Sequence, residues 1–141
     1  MSSDKRSGGV QVIGLSLVQI YEFHDSEDGR TYYWNATEGR RLAERRKAET
    51  VSVYLADFGM TPEKVLEMCP DLDRDKALSL PPIALLSPVL FVPHRGKHVL
   101  VDGWHRMYLA AWFRIPCLPA LILTDGEERS IRRGGVDGRG L

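Results

Sequence analysis

The chain has 141 residues, with Lys+Arg and Asp+Glu both at 19 and hydrophobic residues at 43%. These values predict one globular domain with a modest core. The balanced charge favours no partner, so any nucleic-acid site has to be a local patch. No apolar run reaches the ~18 residues of a membrane span, and the polar N-terminus carries no apolar signal region. Cys69 and Cys117 lack CxxC spacing and read as reduced thiols of a cytoplasmic protein, with a single disulfide as the alternative.

In chain order, residues 1–9 are expected to be a disordered lead. Residues 20–24 and 30–34 read as a hairpin across the polar turn 25–29. Its aromatic residues, Tyr21, Phe23, Tyr32, Tyr33 and Trp34, form either a face packed on the core or a base-stacking platform. Residues 37–50 read as a basic helix with Thr37 as N-cap. Its cations, Arg40, Arg41, Arg45, Arg46 and Lys47, either follow a DNA phosphate backbone or form a solvated face with Glu38, Glu44 and Glu49 as partners. Residues 51–55 fit a strand or a helix continuation. Thr61-Pro62-Glu63 starts a helix that runs to about Cys69. The stretch 71–75 lacks the Gly and the distal Glu of a calcium loop and reads as a polar turn or helix start.

Residues 83–86 and 89–92 are apolar runs, 93–96 a turn, and 97–101 a returning strand. The turn cations His94, Arg95, Lys97 and His98 either line a cleft or keep an exposed hairpin soluble. Residues 99–124, VLVDGWHRMYLAAWFRIPCLPALILT, parse as strand, tight turn, helix and strand, with the helix over 104–113 and the last strand over 118–123. The chemistry is expected at the joint. Gly103 lets the backbone approach a ligand, the helix start presents free N–H groups, and His105 and Arg106 lie in the first turn. That set suits a phosphate. Asp102 either coordinates a magnesium ion bridging phosphates or bonds its own turn. Trp104 either stacks on a base or covers the hairpin. His105 is a phosphate ligand, an acid/base or a cap. Met107, Tyr108, Ala111 and Trp112 share core-facing helical spacing. Residues 125–141 are polar and Gly-rich and are expected to be a mobile tail.

The ordered set Pro81-Pro82, an apolar hairpin, Gly103-Trp104-His105-Arg106 and Ile115-Pro116 before 118–123 resembles the ParB/sulfiredoxin superfamily over residues 81–124. The resemblance implies a compact α/β fold, here one domain over residues 10–124. It also implies a nucleotide site, for ATP or CTP with magnesium, in which Gly103, Trp104, His105 and Arg106 form the corner. Asp102 and His105 are the catalytic candidates, and Glu22, Glu27 or Glu38 are candidates to reach the corner from the N-terminal half. Implied activities are those of a phosphohydrolase, kinase or nuclease in plasmid, phage or chromosome processes. The alternative is a non-catalytic DNA- or protein-binding module, and a homodimer is compatible with either. Sulfiredoxins place a catalytic Cys immediately before the His-Arg pair. Trp104 stands there, so sulfinic-acid reduction is not expected.

Overall fold

The computed structural model describes residues 5–13 and 16–133. Among the described residues, eight strands and five α-helices form one mixed α/β domain with two four-stranded sheets. The first sheet contains β1 (Lys5–Ile13), β2 (Ser16–Asp25), β3 (Arg30–Asn35) and β8 (Arg132–Arg133), all antiparallel to their neighbours in the order β1-β2-β3-β8. The register sets Tyr21 opposite Trp34 and Phe23 opposite Tyr32. These four rings alternate onto the inner face and are all buried, so cross-strand aromatic pairing stabilises the hairpin and its packing together. A buried face offers no platform for bases, and the core reading holds for these four; Tyr33 alternates to the other face of β3 and is half-buried.

The second sheet runs β4 (Val51–Tyr54), β7 (Cys117–Ile122), β5 (Val89–His94), β6 (Lys97–Asp102), with β5 and β7 parallel and the other pairs antiparallel. Val89, Leu90, Phe91 and Val92 are all buried, because this sheet is covered on both faces. The β5–β6 turn is Arg95-Gly96, both at positive φ (53° and 76°), as a two-residue hairpin turn matched to strand twist requires.

Five helices complete the fold: α1 (Ala36–Arg45), α2 (Pro62–Met68), α3 (Arg74–Leu78), α4 (Trp104–Trp112) and α5 (Asp125–Ile131). Thr61 caps α2 through Lys64 N, as expected, and Asp73 caps α3 through Lys76 N. The cap of α1 is Asn35, whose side chain accepts from Glu38 N. Thr37, the expected cap, instead accepts from Gln19 N on β2. Residues 83–86 are not a strand. They lie in a 3-10 helix, Pro82–Leu86, because consecutive prolines fix φ and remove ladder donors.

The expected tail also needs correction. Thr124 and Glu127 form a reciprocal capping box that starts α5, and Ile131 is 1% exposed. Residues 125–133 therefore belong to the domain. Strand β1 likewise reaches into the expected lead; residues 1–4 and 134–141 lie outside the described residues. No described helix is long and apolar enough to cross a membrane.

Candidate functional site

The corner forms where β6 ends. Leu90 faces Asp102 while Phe91 faces Leu100, so Val101 is the extra residue of a bulge. A bulge re-aims the side chain that follows it, and here that side chain is Asp102. Gly103 follows at φ +112°, and a Cβ there would lie 2.4 Å from Val89 Cγ1. The glycine therefore lets the backbone approach β5, not a ligand as its position in the sequence suggested. Helix α4 opens at Gly103 with no side-chain cap, leaving its first N–H groups without intrahelical partners.

Two guanidinium groups converge on the corner. Arg40, delivered by α1, donates through Nε and Nη2 to Asp102 Oδ2 at 3.2 and 2.8 Å, and through Nη2 to the Pro88 carbonyl at 2.8 Å. Arg106 donates through Nη1 to the Ser87 and Pro88 carbonyls at 2.8 and 3.0 Å, with Nη2 3.7 Å from Asp102 Oδ2. Burial lowers the Arg106 pKa from its ordinary value, Asp102 opposes that shift, and Arg40 adds to it. Arg40 Nη1 and Arg106 Nε donate to no group among the described residues, so each guanidinium keeps donor capacity. Asp102 is already neutralised by Arg40 and Arg106, which makes it a poor magnesium ligand.

Trp104 is 7% exposed and donates to the Leu100 carbonyl at 3.1 Å. It covers the hairpin and leaves only a small part of its surface on the cavity at the corner. The Nε2 of His105 is buried and has no hydrogen-bond partner among the described residues. Burial first, and the charge of Lys76 second, hold its pKa below the ordinary histidine range. A cavity of about 580 Å³ lies in front of these groups, lined by Arg40, Lys76, Asp102, His105 and Arg106 among others. Lys76, on α3, was not singled out from the sequence. Its distance along the chain hid it, since α3 reaches the corner only by packing on α4.

The basic residues of α1 do not form one face. Arg40 points to Asp102, Arg41 pairs with Glu38, and Arg46 pairs with Glu127. Arg45 and Lys47 are exposed. Glu27 pairs with Lys97 at the far end of the β5–β6 hairpin, and Glu38 is held by Arg41. Neither supplies a carboxylate to the corner, and the turn cations His94, Arg95, Lys97 and His98 do not line its cavity.

A second cluster, missed in the sequence, occupies that far end. His94 Nε2 lies 2.7 Å from Asp25 Oδ2, and Tyr32 donates its hydroxyl to Asp28 Oδ2. Burial pushes the Tyr32 hydroxyl up to about 12, with the Asp28 hydrogen bond adding to the shift. Burial also pushes the Asp25 carboxyl up, but hydrogen bonds from His94 and from Glu27 N outweigh it and leave the group below its ordinary value. Asp25 and Asp28 had read as residues of a polar turn. Their only sequence signal was a carboxylate pair at the tip of an aromatic hairpin.

Comparison of the chain with protein-family models, with curated proteins and with solved structures gives no match in any of the three.

Proposed function

We propose that this protein binds a nucleotide through its phosphates in the cavity at the start of α4, as the ParB/sulfiredoxin resemblance of residues 81–124 implies. The observation that carries the reading is the composition of that cavity. Arg40, Lys76 and Arg106 line it together with the unsatisfied ring nitrogen of His105, in front of an uncapped helix N-terminus. Such convergence of donors and positive charge suits a phosphate group. The reading is one of binding rather than turnover. Phosphoryl transfer requires a free carboxylate for magnesium and a positioned base, and Asp102 is engaged by Arg40.

Calorimetric titration with ATP, CTP, GTP and ADP tests this reading. Lys76 makes no ion pair among the described residues and is exposed, so Lys76→Ala leaves the fold intact. A charge-assisted contact contributes ~1.5 kcal/mol or more, so Lys76→Ala should weaken nucleotide binding by about tenfold. Failure of all four nucleotides to bind, or equal affinity in wild type and Lys76→Ala, refutes the reading.

A further inference from the structure

The far end of the β5–β6 hairpin carries a set of side chains that the corner does not use. Asp25, Asp28 and His94 each offer one ligand atom, and these atoms all lie within 4.8 Å of one another. The side chains of Asp25 and His94 are only 5% and 9% exposed, and that of Asp28 is 15% exposed. We infer that Asp25, Asp28 and His94 form a three-residue site for a first-row divalent cation such as zinc or manganese, with an open side facing a cavity.

The supporting groups orient the ligand atoms. Asp25 Oδ1 accepts from Glu27 N and Asp28 Oδ1 accepts from Arg30 N, both at 2.8 Å. Each carboxylate thus has one oxygen tied to the backbone; the other, Oδ2, takes the His94 contact in Asp25 and the Tyr32 hydroxyl bond in Asp28 and keeps a second lone pair for a cation. The His94 ring is wedged edge-on against Phe23, Tyr32 and Trp34, with centroids 5.6, 4.5 and 5.7 Å away. It is therefore held without a large rotamer search. Outer partners of this kind fix ligand orientation at metal centres.

Donor chemistry selects the ion. One imidazole with two carboxylates disfavours calcium and magnesium, which prefer all-oxygen sets, and the lack of a thiolate disfavours soft ions. Three protein ligands with an open position are the pattern of a site that holds a water or substrate as well. Of the three ligands His94 borders a cavity of about 460 Å³, together with Tyr32 and Arg95, which gives an access route on the His94 side.

Arg95 sits where it competes with a cation. Its Nε is 3.6 Å from Asp25 Oδ2 and its Nη1 3.7 Å from Asp28 Oδ2. Both distances exceed a hydrogen bond, and the side chain is 49% exposed, so it swings into solvent without breaking a directed contact. A metal displaces it. The alternative is that Arg95, Asp25, Asp28 and His94 only pin the two sheets together.

Titration of the full chain with zinc and with manganese(II) tests the inference, alongside cobalt(II) absorption. One equivalent should bind, and the cobalt spectrum should lack the near-ultraviolet thiolate band that binding at Cys69 or Cys117 would give. Asp28→Asn, at the most exposed of the three ligands, should weaken binding by at least about tenfold. Arg95→Ala should tighten it by about tenfold, because the competing charge is gone. Three outcomes overturn the inference: no binding at millimolar metal, affinity unchanged by Asp28→Asn, or affinity lowered by Arg95→Ala. The last of these identifies the cluster as an ion-pair pin.

Discussion

Replacing Gly103 with alanine tests how the corner is built. Two penalties apply. The backbone sits at φ +112°, which L residues rarely adopt, and such strain costs on the order of 1–3 kcal/mol. The new Cβ would also lie 2.4 Å from Val89 Cγ1, 2.8 Å from Val89 Cβ and 3.3 Å from Val89 Cα. Val89 is fully buried and paired within the central strand β5, so its backbone cannot withdraw. Forcing atoms into such a core costs about 1–3 kcal/mol more. The expected loss is about 2–6 kcal/mol, a large part of the ~5–15 kcal/mol that holds a domain folded. At about 4 °C per kcal/mol for a chain of this size, the melting temperature should fall by about 8–24 °C. Urea denaturation followed by circular dichroism gives the free energy directly. Val89→Ala made with Gly103→Ala should remove the 2.4 Å clash with Cγ1 but neither the 2.8 Å contact with the retained Cβ nor the φ strain, giving a favourable coupling of about 0.5–3 kcal/mol. If Gly103→Ala stays within ~0.5 kcal/mol of wild type, or if the two changes simply add, the close approach of β6 to β5 is wrong.

Two further tests concern the corner and the C-terminal helix. Burial and Lys76 lower the His105 pKa below 6.5, so the unfolded chain binds more protons there. The contribution of His105 to stability is therefore complete above pH 6.5 and is lost as pH falls through the lower folded value. A bound phosphate favours protonation, so nucleotide affinity should rise as pH falls from about 8 to 6, and His105→Asn should flatten that part of the profile measured by calorimetry. Glu128, 5% exposed, accepts from Trp34 Nε1 at 2.7 Å and takes two bonds from Arg132. Glu128→Ala strands a buried donor and should cost about 2–4 kcal/mol by urea denaturation, whereas a mobile tail would give no change.

Local chemistry made parts of this fold legible. The alternating aromatics of β2 and β3, the Thr61-Pro62-Glu63 start of α2 and the strand-corner-helix order at 99–113 each state their structure within a few residues. Three readings failed because a distant contact decided them. Gly103 looked like a ligand-approach glycine until Val89 was found against it. The basic run 40–47 reads as one face, yet Arg40 turns inward to Asp102 and Arg46, still exposed, pairs with Glu127, 62 and 81 residues away. The α5 segment looked like a tail because its composition is polar. Its capping box and the single buried Ile131 outweighed that average. Asp25, Asp28 and His94 are 69 residues apart at their widest, and no spacing rule joins them.

The two polar clusters are linked by the geometry of two hairpins. β5 and β6 run six residues each, which at about 3.3 Å per residue separates their ends by about 17 Å. Val89 and Asp102 stand at one end, His94 and Lys97 at the other. The β2–β3 hairpin lies alongside in the same sense. Its turn brings Asp25 and Asp28 to His94, and its last residue, Asn35, caps the helix that brings Arg40 to Asp102. The first sheet therefore meets the second at one end through the rings packed on His94 and the Asp25–His94 contact, and at the other end α1 bridges to β6 through Arg40 and Asp102. Sliding the hairpins by one residue would turn Tyr21, Phe23, Tyr32 and Trp34 out of the core and would separate both clusters together. Register and polar partnership thus specify the same alignment. Asp25 and His94 in one cluster, and Arg40 and Asp102 in the other, therefore also help to fix how the two sheets face each other.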